Sequence, residues 1–238
     1  MPALEQRNVA NHLLAALPPA DFALLAPALE PVDFAIHQIL LHAEEEVGAA
    51  YFVESGVISM LARLQEGEAV ETGVIGSEGM AGLPLVFGTP ISPLEAAGEI
   101  PGRALRVAAP ALRRVLQDSP ALMQALLHYA QAFYAQVSIA AGCHAAHDLP
   151  HRLARWLLMA HDRAGGDEFP ITHEVMAQML GVRRSGVTIQ AGLLQNAGLI
   201  RYARGQVTVL DRAGLEDASC ECYRFIQRIT ERLRAPPS

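Results

Sequence analysis

Apolar positions along this chain change period twice, and the two changes divide it into three regions. In residues 4–16 (LEQRNVANHLLAA), Val9, Leu13 and Ala16 recur near helical spacing before Pro18-Pro19 closes the segment. A second short helix is predicted from Asp21 to Leu29, with Asp21 as its cap. From Val32 to Val107 the pattern is different. Short apolar stretches (VDFAI, QILLHA, AAYFVES, GVISMLARL, AVETGVI, LEAAGEI, ALRV) alternate with turn-prone Gly, Glu-Gly and Pro, and eight glycines fall between Gly48 and Gly88. That punctuation predicts a compact antiparallel β-roll or barrel.

After Pro110 the helical period returns, first in ALRRVLQD and then, beyond Ser119-Pro120, in the run ALMQALLHYAQAFYAQVSIAAGCHAAH. Leu122, Leu126, Tyr129, Phe133, Val137 and Ala140 line one face, while Met123, Leu127, Ala130 and Tyr134 make a second face apolar. A helix of ~25 residues spans about 38 Å, and two apolar faces need two partners. The roll is one, and a second copy of the chain is the economical choice for the other. Asp148-Leu-Pro150 then interrupts, with Asp148 placed to cap the next helix and Pro150 in its first turn. The predicted class is α+β, with N-terminal helices and an antiparallel β-roll over 1–118, a long dimerisation helix over 119–147 and a winged helix-turn-helix over 148–238.

The winged region carries the chemistry. In ITHEVMAQMLGVRRSGVTIQAGLLQNAGLIRYARGQVTVLD, Thr172 caps a helix, Ala177 is small enough to lie under a second one, Gly181 makes the tight turn, and Val182 and Val187 plug the angle. The second helix, roughly Arg183 to Asn196, then crosses the first at the wide angle that admits it to a major groove. Its first turn presents Arg183, Arg184 and Ser185, with Thr188 one turn on. Arginine suits guanine edges or phosphate, and hydroxyls reach either. The helix start at Thr172-His173 offers amides to a phosphate. LIRY and QVTVL flank Arg204-Gly205 as a hairpin wing, with Arg201 and Arg204 placed for flanking phosphates.

A net charge of −7 at first opposes nucleic-acid binding. The charge is unevenly spread, however: residues 1–110 hold four Arg against fourteen acids, whereas 149–212 hold eight Arg against five acids. Phosphate responds to the local field within about 8–10 Å, so an acidic domain does not silence a basic one. No apolar run approaches the ~20 residues of a membrane span, and the N-terminus lacks a basic start and small-residue cleavage site. Both features place the protein in the cytoplasm by expectation. Cys143, Cys220 and Cys222 are too few and too unevenly spaced for a disulfide framework.

The order of small helices, Gly-punctuated roll, long helix, Asp-capped hinge and wing, with the stretches RLARWLLM, THEVMAQMLGVRRSGVT and AGLIRYARGQVTVLD, resembles the Crp/Fnr family of bacterial transcription regulators over nearly the whole chain. The resemblance implies a cyclic-nucleotide-binding-like roll, a homodimer through the long helix, a two-fold double-stranded DNA site, an effector, and contact with RNA polymerase. It also implies an effector pocket around Glu78, Gly79, Met80, Ser92 and Ser138. Cyclic-nucleotide binders of the family grip phosphate with an Arg-Ser pair, whereas here Ser92 follows Ile91 and no Arg falls beside it. The effector is therefore expected to differ from cyclic AMP. Ser185 and Ile189 stand where relatives carry other base readers, so the DNA consensus does not carry over.

Weaker constellations stand beside these. Cys143, His144, His147 and His151 have ligand-like types but straddle the hinge, where Pro150 upsets the spacing, and a polar hinge surface is the favoured reading. Cys220-Glu-Cys222 is read as an unremarkable part of a terminal amphipathic helix. His37 and His42 on the roll allow a cupin-like metal enzyme, and the roll alone allows a small-molecule-sensing protein-interaction module. The wing and its arginines fit neither, and the expectation is a non-enzyme without metal or cofactor.

Overall fold

The computed structural model describes residues 4–64 and 69–234, so the ends of the regions expected over 1–118 and 148–238 lie in part outside the described residues. The helix expected over 4–16 is shorter, a 3₁₀ turn at Gln6–Asn8 followed by α1 (His12–Ala15). Asn11 is the reason. Its side chain accepts from Leu14 N, and its amide donates to the Val53 and Gly79 carbonyls at 2.9 and 2.8 Å, so the helix starts where that anchored cap stands. The next helix, α2 (Pro19–Leu25), begins with Pro19 at its first position. Asp21 lies inside its first turn instead of capping it, and accepts from the Ser119 hydroxyl.

The roll contains β1 (Glu30–Phe34), β2 (Ile39–Leu41), β3 (Ala49–Arg63), β4 (Ala69–Ile75), β5 (Met80–Ala81), a short α3 (Leu83–Val86) and β6 (Glu95–Ala108). All pairings are antiparallel, in the order β1-β6-β3-β4, with β2 on β6 and β5 on β3. AAYFVES and GVISMLARL fuse into the single strand β3, and LEAAGEI and ALRV into β6. Gly56 and Gly102 make this fusion feasible. A Cβ on Gly56 (φ +78°) would meet the Ile100 carbonyl oxygen at 2.6 Å, and one on Gly102 would meet the Ser55 oxygen at 1.9 Å. The two glycines carry the strands past each other through the register shifts between Val53 and Ile58.

Next come α4 (Ala109–Asp118), α5 (Pro120–Ala146), α6 (Leu149–Ala164), β7 (Glu168–Pro170), α7 (His173–Leu180), α8 (Arg184–Asn196), β8 (Ile200–Ala203), β9 (Gln206–Val209), α9 (Arg212–Asp217) and α10 (Cys222–Arg234). Ser119 caps α5, and Leu122, Leu126 and Tyr129 join the core inside the roll. Further along α5, the Gln136 amide accepts from Val74 N at 2.8 Å and donates to Val74 O at 3.2 Å, so a side chain pairs with β4. Of the second apolar face, Ala130 is buried and Met123 half-buried, but Leu127 and Tyr134 are 46% and 73% exposed. Asp148 precedes α6 without a side-chain cap bond and pairs with His151.

A second core joins α6 to α10 with the outer faces of β3, β4 and β6, through Val57, Leu61, Val74 and Ile100 on the roll and Trp156, Leu157, Met176 and Leu180 on the helices. Polar groups are buried in the same contact. Trp156 Nε1 donates to Glu71 at 2.9 Å, and the Ser59 hydroxyl donates to Glu71 at 2.7 Å. Glu99, 2% exposed, lies beside them. Burial, then the neighbouring Glu71 charge, pushes the Glu99 carboxyl up to about 8.

Gly102→Ala is expected to destabilise the protein by ~3 kcal/mol or more, since the clash is with backbone, whereas Gly166→Ala, with nothing within 4 Å, should stay within about 0.5 kcal/mol; urea denaturation measures both. Because the folded Glu99 holds its proton to higher pH than the unfolded chain, its burial is least costly at or below about pH 4.5 and lowers stability as pH rises to about 8. Each unit of raised pKa corresponds to ~1.4 kcal/mol. Glu99→Gln should therefore flatten the fall in stability between these limits and be more stable than the parent at pH 8, as read by denaturation across pH.

Candidate nucleic-acid interface

Local signals build the helix-turn-helix. The Thr172 hydroxyl accepts from Val175 N at 3.2 Å and starts α7. Gly181 ends it in the left-handed region (φ 62°, ψ 43°), where glycine costs least. Arg183 is extended and α8 opens at Arg184. Ala177 is buried beneath α8, whose Val187, Ala191 and Leu194 face inward. The outward positions are Arg184, Ser185, Thr188, Ile189 and Leu193, and Ile189 is 61% exposed.

The wing is β8 and β9 joined by Arg204 (φ 52°) and Gly205 (φ 77°), two positive φ values in succession as a type I′ hairpin turn requires. A third strand that the sequence pattern does not announce, β7, pairs with β9 on its other side. Contacts gather the predicted residues. Ile171 N donates to Gly205 O at 2.9 Å, so the wing turn sits against the start of α7. The His173 ring stacks on Tyr202 with centroids 4.0 Å apart, and its Nδ1 lies 3.1 Å from Thr188 Oγ1. Gln195 accepts from Tyr202 N at 2.7 Å, tying α8 to the wing. Burial, aided by the charge of Arg184, lowers the His173 pKa, so its imidazole is neutral near neutral pH and orients Thr188 instead of carrying charge. Neither Tyr202 nor Gln195 is marked by spacing in the sequence.

Thr172, Arg183, Arg184, Ser185, Thr188, Arg201 and Arg204 are all exposed. Arg184 Nε is 3.8 Å from Glu174 at the surface, a pairing worth little against solvent. Arg201 donates to Thr208 Oγ1 at 3.3 Å. Among the described residues Arg183 and Arg204 have no ion pair, so their guanidinium groups are available.

The residues expected to form an effector pocket do not all converge. Glu78, Gly79 and Met80 are buried together beneath Tyr129, whose hydroxyl donates to Met80 O at 3.1 Å and whose ring would lie 2.3 Å from a Cβ on Gly79. The sequence offers no Arg beside Ser92, yet the fold brings one to Glu78: Arg163, on α6, places Nε and Nη2 each 2.7 Å from Glu78 Oε1. Burial alone would raise the Glu78 carboxyl, but the Arg163 charge and hydrogen bonds hold it below its ordinary value. The cleft beside this pair, lined also by Asp162, Tyr223 and Ile226, measures about 120 Å³, small against the ~300–1,000 Å³ of typical ligand pockets. Ser92 is buried in another loop, its hydroxyl donating to Leu94 O at 2.7 Å. Ser138 is exposed on α5, nine residues and roughly 14 Å beyond Tyr129.

The hinge constellation is regrouped. Cys143 and His147 meet Cys220 and Cys222, and the four donor atoms lie within 4.8 Å of one another. His144 and His151 stand apart: His144 is half-buried, its pKa lowered to about 4 by burial and by the charges of Arg152 and Arg155, and His151 pairs with Asp148. Cys220-Glu-Cys222, expected to be an unremarkable part of the terminal helix, thus lies against Cys143 and His147. The signal in the sequence was a Cys-x-x-x-His pair and a Cys-x-Cys pair, read separately because 77 positions separate Cys143 from Cys220. His37 and His42 are exposed outside the strands, in the turn before β2 and just after it, and among the described residues they join no third ligand.

Residues 151–218 match the Crp-like helix-turn-helix domain family. Comparison with curated proteins gives no match. Among solved structures, a Crp/Fnr-family regulator from Eubacterium rectale superposes with a TM-score of 0.66 at 22% identity, covering 87% of this chain and 96% of that one. FixK2 from Bradyrhizobium japonicum gives 0.66 at 14% identity over 81% and 98%. The c-di-GMP responsive global regulator CLP from Xanthomonas campestris gives 0.64 at 16% over 81% and 99%. Residues 151–218 are thus a Crp-like helix-turn-helix domain, on a chain that has the fold of the Crp/Fnr regulators over most of its length.

Proposed function

We propose that this protein is a dimeric transcription regulator of Crp/Fnr type that places the start of α8 in the major groove of each half of a two-fold DNA site. The observation that carries this reading is the solvent-facing Arg183-Arg184-Ser185 at the head of a helix held across α7 and flanked by a wing bearing Arg201 and Arg204. Arg184 is the base reader, Arg183 and the wing arginines neutralise flanking phosphates, and the amides at the start of α7 receive another phosphate. RNA polymerase is the protein partner, and the cytoplasm is the setting.

The dimer is supported by the exposed positions of α5. Leu127, Gln131, Tyr134, Ser138, Ala141 and Ala145 alternate at spacings of four and three, and all are exposed. This is the heptad seam of a paired helix, with large residues in its first half and small ones in its second, where two helices approach more closely. Ser138 then acts as a small packing residue. A two-fold dimer presents its reading helices about one DNA turn apart. The effector differs from cyclic AMP, because Glu78 is already satisfied by Arg163 and no Arg adjoins Ser92 in the sequence to receive a phosphodiester.

Replacing Arg184 by Ala should weaken specific binding by ~1–3 kcal/mol in a titration at fixed salt; undiminished affinity would remove Arg184 from the base-reading role. Tyr134→Glu should shift the protein from dimer to monomer in sedimentation velocity. A variant that remained dimeric at the same concentration would assign the interface elsewhere.

A further inference from the structure

We infer that Cys143, His147, Cys220 and Cys222 form a closed binding site for one zinc ion, which fastens the start of α10 to the end of α5. Cys143 lies in the last turn of α5, His147 is the residue after it, and Cys220 and Cys222 flank the entry to α10. Tetrahedral zinc with bonds of ~2.3 Å to sulfur and ~2.0–2.1 Å to nitrogen requires donors about 3.4–3.8 Å apart. Cys143 Sγ is 3.5 Å from Cys220 Sγ, and Cys222 Sγ is 3.7 Å from His147 Nδ1. Four donors within 4.8 Å surround a single ion and leave no room for a multi-iron cluster.

Two observations outside the four donors point the same way. His147 Nε2, the nitrogen that the ion would leave free, is 3.4 Å from Glu221 Oε1, the carboxylate-to-imidazole pairing that orients a ligating histidine. Arg155 is the second. Its side chain is buried at 3% exposure with Nε unpartnered, its Nη1 touches only Met159 Sδ, and no carboxylate pairs with it among the described residues. A buried guanidinium is costly without a counter-charge. Three thiolates around a dication carry one net negative charge, the kind of counter-charge that a buried guanidinium requires. Glu71, an acidic neighbour of Arg155, is tied to Ser59 and Trp156.

With four protein ligands the ion has no open position for a substrate, which makes it structural. Its place matters because α5 ends and α6 begins within three residues of it, so it sets the angle at which the DNA-binding domain leaves the long helix.

The test uses the full chain, purified under reducing conditions, loaded with zinc, desalted and assayed for metal without DNA, so its outcome is independent of the DNA-binding reading. About one zinc per chain is expected. Replacement by cobalt(II) should give the intense d–d bands of tetrahedral coordination together with thiolate-to-cobalt charge transfer. Cys222→Ser and His147→Ala should each lower retained metal at least tenfold, and chelation of the unaltered protein should lower its melting temperature, a readout that does not depend on whether the variants fold. Full reactivity of all three thiols with no retained metal would overturn the site, as would a Cys143–Cys220 disulfide that persists through purification under reducing conditions.

Discussion

The architecture depends on one buried ion pair. Glu78 and Arg163 face each other with side chains 5% and 4% exposed, and Arg163 also donates to Met159 O at 2.9 Å within its own helix. Such a pair adds little to stability as a whole, yet either partner left alone in that environment costs ~3–5 kcal/mol. It is therefore a strong constraint on geometry: wherever β5 and α5 place Glu78, α6 must follow. Helix α6 in turn presents Trp156, Leu157 and Leu158 to the second core, on which α7 and α8 are packed. The orientation of α8 is thus fixed from inside the roll, by a residue expected from the resemblance to meet a ligand.

The same constraint bears on how an acidic chain can approach DNA. The acids concentrated in the roll are partly spent internally, on Arg163 and, through Glu95, on Arg63 at 2.8 Å. Among the described residues, the arginines of α8 and the wing have no buried acidic partner, Arg184 meeting Glu174 only at the surface. Charge separation of this kind leaves a local positive field where α8 emerges, without altering the sign of the molecule. The neutral His173 adds to this indirectly, since stacking on Tyr202 and contact with Thr188 hold the wing and the helix in one frame.

The helix-turn-helix was legible in the sequence because each of its signals is local: a capping threonine, a left-handed glycine and a two-residue hairpin turn act within four residues of where they stand. The roll was legible in kind but not in strand count. Gly56 and the Pro101-Gly102 step look like breaks, and become passages only when the facing strand is known. Asn11 was missed for a related reason, since its amide bonds to Val53 and Gly79, far away along the chain. The sulfur cluster was hidden most completely. Its halves come from two helices, each half is ordinary by itself, and only packing of α10 on α5 brings them together.

Gln136 gives the long helix a property that its apolar faces do not. An apolar side chain can slide over the sheet with little change in energy, but an amide that both accepts from and donates to Val74 is indexed to one backbone position. Helix α5 therefore cannot roll about its own axis without releasing both bonds. Any message passing along it must take the form of a swing of the whole rod about a fixed tooth, which moves the far end most and the roll least.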